Sequence, residues 1–159
     1  MRKTLIKQPT ENDPFPELNC LDLEALAQIE FTSECPKHPV ESALLLAGSP
    51  SDGWQAATAG EQTLRIIFDD PRTIEHIVLV FDEQQQSRSQ QFVLRWLMDK
   101  DSAYREIVRQ QYHFSPPNTT REIEHYTVNL KQLKALELTI IPDISGGEAC
   151  ATLKQLRLA

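Results

Sequence analysis

The side chains best suited to hold a ligand fall in three segments. Trp54 follows Asp52-Gly53 in a long stretch without alternation. Its indole could stack on a sugar face or another planar group, or cap the core beneath the loop. Arg88 lies in EQQQSRSQQ (83–91), where amide side chains surround a planar fork of donors suited to carboxylate, phosphate or hydroxyl groups. The alternative is a solvated polar loop. HFSPPNTTR (113–121) carries Phe114 as an apolar contact, Asn118 as an amide donor and acceptor, and Arg121 as a second charged donor. Pro116 and Pro117 stiffen this segment, which lowers the entropy cost of holding a binding shape. Phe114 could equally tuck inward.

Catalytic chemistry finds less support. No GxSxG, HExxH, P-loop or dinucleotide-binding glycine pattern occurs, and five glycines leave little for phosphate-cradling loops. Cys35, His38, His113 and Cys150 offer one local pair but no second, so no zinc site and no Cys–His nucleophile is expected. Asp52, Asp143 and Glu148 are acids in segments without alternation and without a pairing pattern, as a solvated rim would be. The expectation is a non-enzymatic binding protein without a cofactor.

Composition narrows the partners. The chain has 159 residues, 40% apolar and 25% charged, which fits one soluble domain with one core. Net charge is −7, which opposes non-specific binding to nucleic acid or anionic membrane. No apolar run approaches the length of a membrane helix. MRKTLIKQPTENDPF lacks the apolar centre of an export signal, and three cysteines without CxxC spacing suit reduced thiols. Both point to a cytoplasmic location.

The elements that must position these residues read as strands. Residues 1–27 form an arm holding Pro9, Pro14 and Pro16, with a short helical turn possible in LDLEALAQI (21–29). From residue 28 to 159 the pattern predicts strands at 29–34, 63–69, 73–83, 91–99, 103–114, 122–130, 133–142 and 150–158. The apolar run at 77–81 reads as buried on both faces, and 103–114 also admits a helix. Eight strands without a βαβ crossover imply an all-β sandwich or barrel. If consecutive strands are antiparallel, the long connections 35–62, 84–90, 115–121 and 143–149 fall at one end. The short ones at 70–72, 100–102 and 131–132 fall at the other. Long loops gathered on a rigid scaffold are a common way to display a binding surface.

KHPVESALLLAGSPSDGWQAATAGEQTLRIIFDDPRTIEHIVLVF resembles the front half of the galactose-binding-like jelly roll, the discoidin or coagulation-factor type C superfamily. The resemblance rests on Ala43-Leu44, Asp52-Gly53-Trp54, the strand ending Phe68-Asp69, Pro71, and the run Ile77 to Phe81. QFVLRWLMDKDSAYREI and LKALELTIIPDISGGEACATLKQLRL resemble its middle strand-turn-strand and its last hairpin. The match covers residues 28–158. It implies an eight-stranded antiparallel jelly-roll β-sandwich that binds through loops at one end, with a glycan or similar polyhydroxylated group as the usual ligand. Many members hold a structural calcium ion before the Trp. Here SPSDGW is short, Asp52 is its only carboxylate, and Gln155 stands where a closing Glu is usual. Ligand-binding positions are thus expected at Trp54, Arg88, Phe114, Asn118 and Arg121. The competing expectation is an intracellular protein-interaction module using the same rim or a sheet face.

Overall fold

Two strands of unusual length organise the molecule. In the computed structural model, which describes residues 18–45 and 51–159, apolar alternation on either side of Asp69-Asp70-Pro71 merges into one strand, β3, Gln62–Asp82. The same happens around Lys131-Gln132 in β6, Arg121–Ile141. These two strands pair antiparallel along both halves, Gln62↔Ile140 to Ile67↔Ala135 and then His76↔Thr127 to Asp82↔Arg121. Between the halves the register shifts three times, at Ile67/Arg72, Arg72/Ile74 and Ile74/His76. Such bulges bend a strand and let it pass from one layer of a sandwich to the other. Segments 63–69 and 73–83 are therefore consecutive halves of one strand, not the antiparallel neighbours expected from sequence.

The remaining strands complete the two layers. β1 (Ala27–Phe31) pairs with the first half of β3. β4 (Arg88–Met98) pairs with the second half of β6, and β5 (Arg105–Phe114) pairs with β4. In the other layer, β8 (Gln155–Leu158) pairs with the second half of β3. A strand hidden inside the long first connection, β2 (Trp54–Ala59), pairs with β7 (Cys150–Leu153). The fold is an antiparallel jelly-roll β-sandwich of eight strands. The segment 103–114 forms a strand from Arg105 on, not a helix, and 150–158 is two strands broken at Lys154, whose N–H donates to Val80 O (2.8 Å).

Facing side chains seal the layers. Phe92 of one layer stacks on Phe81 of the other, ring centroids 5.3 Å apart. Ile77, Leu79, Leu94, Leu138 and Phe68 fill the space around them and are at most 1% exposed. At the N-terminal side a one-turn helix, α1 (Leu23–Leu26), buries Leu23 in the same core. Asp22 caps it at Ala25 N (3.4 Å), and Leu21 N donates to Leu158 O (2.8 Å). The rest of the expected arm, residues 1–17, lies outside the described residues.

The ends of the sandwich differ as their loops do. At one end Glu83 N donates to Thr120 O and Ile144 N to Ser89 O, both 2.8 Å, which brings three long connections together. Gly60 N reaches Ala149 O (3.3 Å) and Lys154 Nζ reaches Ser51 O (2.5 Å), adding the first connection to this crown. At the other end Lys134 Nζ donates to Phe68 O (2.6 Å) and Asp99 N to Gln132 O (2.7 Å), joining the bends.

Candidate functional site

Beneath one side of the crown lies a buried arginine. β4 starts at Arg88, so Arg88 and Gln90 continue the inward phase of Phe92 and Leu94. The Arg88 side chain is 1% exposed. Its Nε donates to Glu83 Oε1 (2.6 Å), Nη1 to Pro142 O (2.8 Å) and Gln90 Oε1 (3.1 Å), and Nη2 to Thr152 Oγ1 (3.4 Å). The guanidinium also lies over the Phe114 ring, 4.8 Å from its centroid. One side chain thereby ties β4, the end of β6, β7 and two loops. Burial pushes the Glu83 carboxyl up, but the Arg88 bond and the Gln85 and Gln86 N–H groups outweigh it and hold it below its ordinary value.

The neighbouring carboxyl, Glu122, behaves in the opposite way. It is 1% exposed, and burial together with the Glu124 carboxylate pushes its pKa up to about 8, despite Gln90 Nε2 donating to its Oε2 (3.2 Å). Its Oε1 is buried without a hydrogen-bond partner among the described residues. Glu122, Glu124 and Tyr126 alternate along the inner face of β6, and burial first, then Glu124, raises the Tyr126 hydroxyl.

The five positions expected to bind ligand separate by depth. Trp54 is 1% exposed, with its indole N–H donating to Ser33 O (3.1 Å), so it caps the core and offers no stacking surface. Phe114 is fully buried against Tyr112, edge to face at 5.0 Å. Arg88 is occupied within the protein. These three are corrected from ligand contacts to supports. The reason is common to them: each lies in phase with the inward face of its strand, although the neighbouring sequence is polar. Asn118 and Arg121 are exposed on the crown. Asn118 N closes a turn onto Ser115 O (2.9 Å), and Arg121 forms a two-pronged pair with Asp82 (2.8 and 3.2 Å).

Across the crown the first connection forms an open polar hollow of about 320 Å³, lined by Lys37, His38, Ser42, Leu45, Ser51, Asp52 and Gly53. Its wall begins as a tight turn, His38 N to Cys35 O (2.8 Å), clipped onto β2 by Cys35 N to Gln55 O (2.8 Å) and Gln55 N to His38 O (3.2 Å). Glu34 then accepts from Val40 N (2.9 Å) at the start of a 3-10 turn, Val40–Ala43. Ser51 Oγ donates to Ser42 O (2.5 Å) and accepts from Gly53 N (3.0 Å), closing the far side. Gly53 is obligatory there. Its φ is +77°, and a Cβ would run into Leu153 O and come within 2.7 Å of Lys154 Cα. The Asp-Gly-Trp motif therefore combines an exposed acid, a residue that passes against backbone, and a buried anchor.

The hollow combines an ammonium, an imidazole, two hydroxyls and a carboxylate. Together they can donate to and accept from the hydroxyls of a ligand. Among the described residues no aromatic ring lines it. Sequence reading placed Asp52 on the rim but missed Lys37, His38, Ser42 and Ser51. The available signal was the length of the first connection, the longest of the four. Among the described residues no cluster of three or more His, Cys, Asp and Glu side chains is arranged to hold a metal ion.

No protein-family model matches the sequence, and no curated protein matches it at a significant level. Solved structures do match in shape. The family 32 carbohydrate-binding module of C. perfringens NanJ, solved with galactose, superposes with a TM-score of 0.62 at 14% identity, covering 87% of this chain and 96% of that one. A second family 32 module from Clostridium perfringens, CpGH89CBM32-5, solved with GalNAc-β-1,3-galactose, gives 0.63 at 13% identity, covering 88% and 99%. The N-terminal domain of the single-strand break repair protein XRCC1 gives 0.59 at 14% identity, covering 84% and 97%. At these identities the shared property is architecture: this chain has the galactose-binding-like jelly-roll fold.

Proposed function

We propose that the chain is a non-catalytic binding module that takes a carbohydrate, or a similar polyhydroxylated group, in the hollow of the first connection. The observation that carries the reading is the polar lining of the hollow: Lys37, His38 and Asp52 make no side-chain hydrogen bond to other described residues and face a concave surface. Each sugar hydroxyl both donates and accepts, so Asp52 receives from a hydroxyl while Lys37 donates to its neighbour. Asn118 and Arg121 extend the rim. Two neighbours of the same fold were solved with galactose-containing ligands, which supports the ligand class. The described lining supplies one carboxylate, whereas glycoside hydrolysis uses two. This favours binding over turnover.

The test is titration of a panel of mono- and oligosaccharides, followed by amide shifts and calorimetry. Binding should shift residues 37–42 and 51–53, and Lys37→Ala with Asp52→Ala should remove it. A saccharide that binds the double variant unchanged would place the site elsewhere.

A second reading, a protein-interaction module, is favoured by one feature of the crown. Ile144 is 48% exposed at the tip of the 143–149 loop, and no aromatic platform for a sugar lines the hollow among the described residues. If the saccharide panel is silent and Ile144→Asp releases a stoichiometric protein partner, this reading replaces the first.

A further inference from the structure

A pair of histidines lies away from the hollow, on the layer formed by the second half of β3 and the first half of β6. The register sets His76 opposite Thr127 and His125 opposite Val78, so the two imidazoles are diagonal neighbours. They alternate with the core-facing Ile77, Leu79 and Phe81, and therefore stand on the outer face of this layer, His125 exposed and His76 half-buried. His76 Nδ1 and His125 Nε2 are 3.0 Å apart, with ring centroids at 5.1 Å and planes tilted by 41°. One proton shared between two ring nitrogens accounts for this contact.

Two imidazole nitrogens on one tetrahedral ion, each at about 2.0–2.1 Å, are separated by about 3.3 Å. The observed spacing needs to open by only a few tenths of an ångström. The ladder holds the two backbones. His76 N donates to Ala159 O (2.9 Å) and Ala159 N to His76 O (3.0 Å), and β6 pairs on its other flank. The exposed His125 side of the pair lets water complete the coordination.

We propose that His76 and His125 form a two-nitrogen chelate for a borderline divalent transition-metal ion. Cu²⁺ should bind most tightly, with Ni²⁺ and Zn²⁺ next. The ion replaces the shared proton, which moves through solvent to the remote nitrogen of its own ring, so both rings stay neutral and each donates one lone pair. Hard ions that require several oxygens, Ca²⁺ and Mg²⁺, are excluded by the donor type. Because the ligands come from two strands of the folded sheet, the ion binds the folded chain preferentially and stabilises it.

The experiment titrates the whole chain with CuCl₂, NiCl₂, ZnCl₂ and CaCl₂, following thermal unfolding, and reads the Cu²⁺ form by electron paramagnetic resonance. Expected are a rise in melting temperature with the first three ions but not with Ca²⁺, and coupling of Cu²⁺ to two nitrogens. His76→Gln and His125→Gln should each weaken binding by about a hundredfold, since a chelate loses its second, effectively intramolecular ligand. Neither side chain belongs to the core, so the fold without metal should persist. His38→Gln with His113→Gln should bind like the parent chain, and so should the chain with Cys20, Cys35 and Cys150 changed to serine. Unchanged affinity in either single variant of the pair, or Cu²⁺ coupled to one nitrogen, would overturn the proposal.

Discussion

Around Arg88, four of the five guanidinium N–H directions meet an acceptor within 3.4 Å, and an aromatic ring covers one face. Across the same crown, Lys37 and Asp52 stand exposed over a concave surface. Both regions draw on long loops and the same kinds of side chain. They differ in which atoms answer the polar groups: protein in one, solvent or ligand in the other. Charge on a loop thus does not by itself mark a binding site, because a buried, saturated arginine fixes the scaffold that lets another loop remain open.

The strongest test of this contrast is removal of the fixed side. Arg88→Met leaves Glu83, Gln90 and the Pro142 carbonyl without their donor. Removing one partner of a buried ion pair costs about 3–5 kcal/mol. Urea unfolding should show that loss, and a change under 1 kcal/mol would mean that Arg88 is not the pin described. The shape of the crown should then loosen, since the same guanidinium joins two of its loops to β4 and β7.

Next in size is the backbone that carries the open side. Gly53→Ala places a Cβ against Leu153 O at a positive φ, a strain of about 1–3 kcal/mol before the clash is counted. Binding to any saccharide should fall with it, because Ser51 and Asp52 are presented by that turn. A variant with parental stability would show that Lys154 and Leu153 can move aside.

How much of this was legible in the sequence follows from phase. Leu64, Ile66 and Phe68 alternate, the run 77–81 is buried on both faces, and together they predicted strands and a sandwich. Asp69-Asp70-Pro71 and Lys131-Gln132 look like turns but are corners within long strands. Composition reports a breaker without saying whether the chain reverses there or only bends. Arg88 carried a readable signal: it is four residues before Phe92 and two before Gln90, on the face that Phe92 and Leu94 continue. Its polar neighbours hid that phase. The hollow was illegible for a different reason, since Lys37, Ser42 and Asp52 are brought together by hydrogen bonds through Gln55 and Ser51 that no periodicity encodes.

Glu122 sharpens the contrast from within the buried side, because it is the member of that cluster left incompletely paired. Its pKa is about 8 in the folded chain against an ordinary 4.5. Between those values the folded state holds a proton that the unfolded state has released, so stability is full below about pH 4.5 and falls as pH rises towards 8. Glu83, held below its ordinary value by Arg88, acts in the other direction and only under more acidic conditions. Glu122→Gln should flatten the decline between pH 4.5 and 8 and make the variant the more stable form at pH 9 by a few kcal/mol. A parallel decline in the two proteins would assign the slope to other groups.

The smallest effect on stability is expected on the open side, and it is the most informative about function. Lys37→Ala and Asp52→Ala remove exposed groups that make no side-chain hydrogen bond to other described residues, so each should change unfolding free energy by less than about 0.5 kcal/mol. Their effect should appear only in binding. The two changes also distinguish ligand classes. A neutral sugar uses Asp52 as acceptor and Lys37 as donor, so both variants weaken it comparably and salt matters little. An anionic ligand relies on Lys37 and is repelled by Asp52, so Lys37→Ala weakens it, Asp52→Ala strengthens it, and added salt screens both changes. Comparing the two variants at low and high ionic strength therefore shows whether the hollow recognises hydroxyl groups or charge.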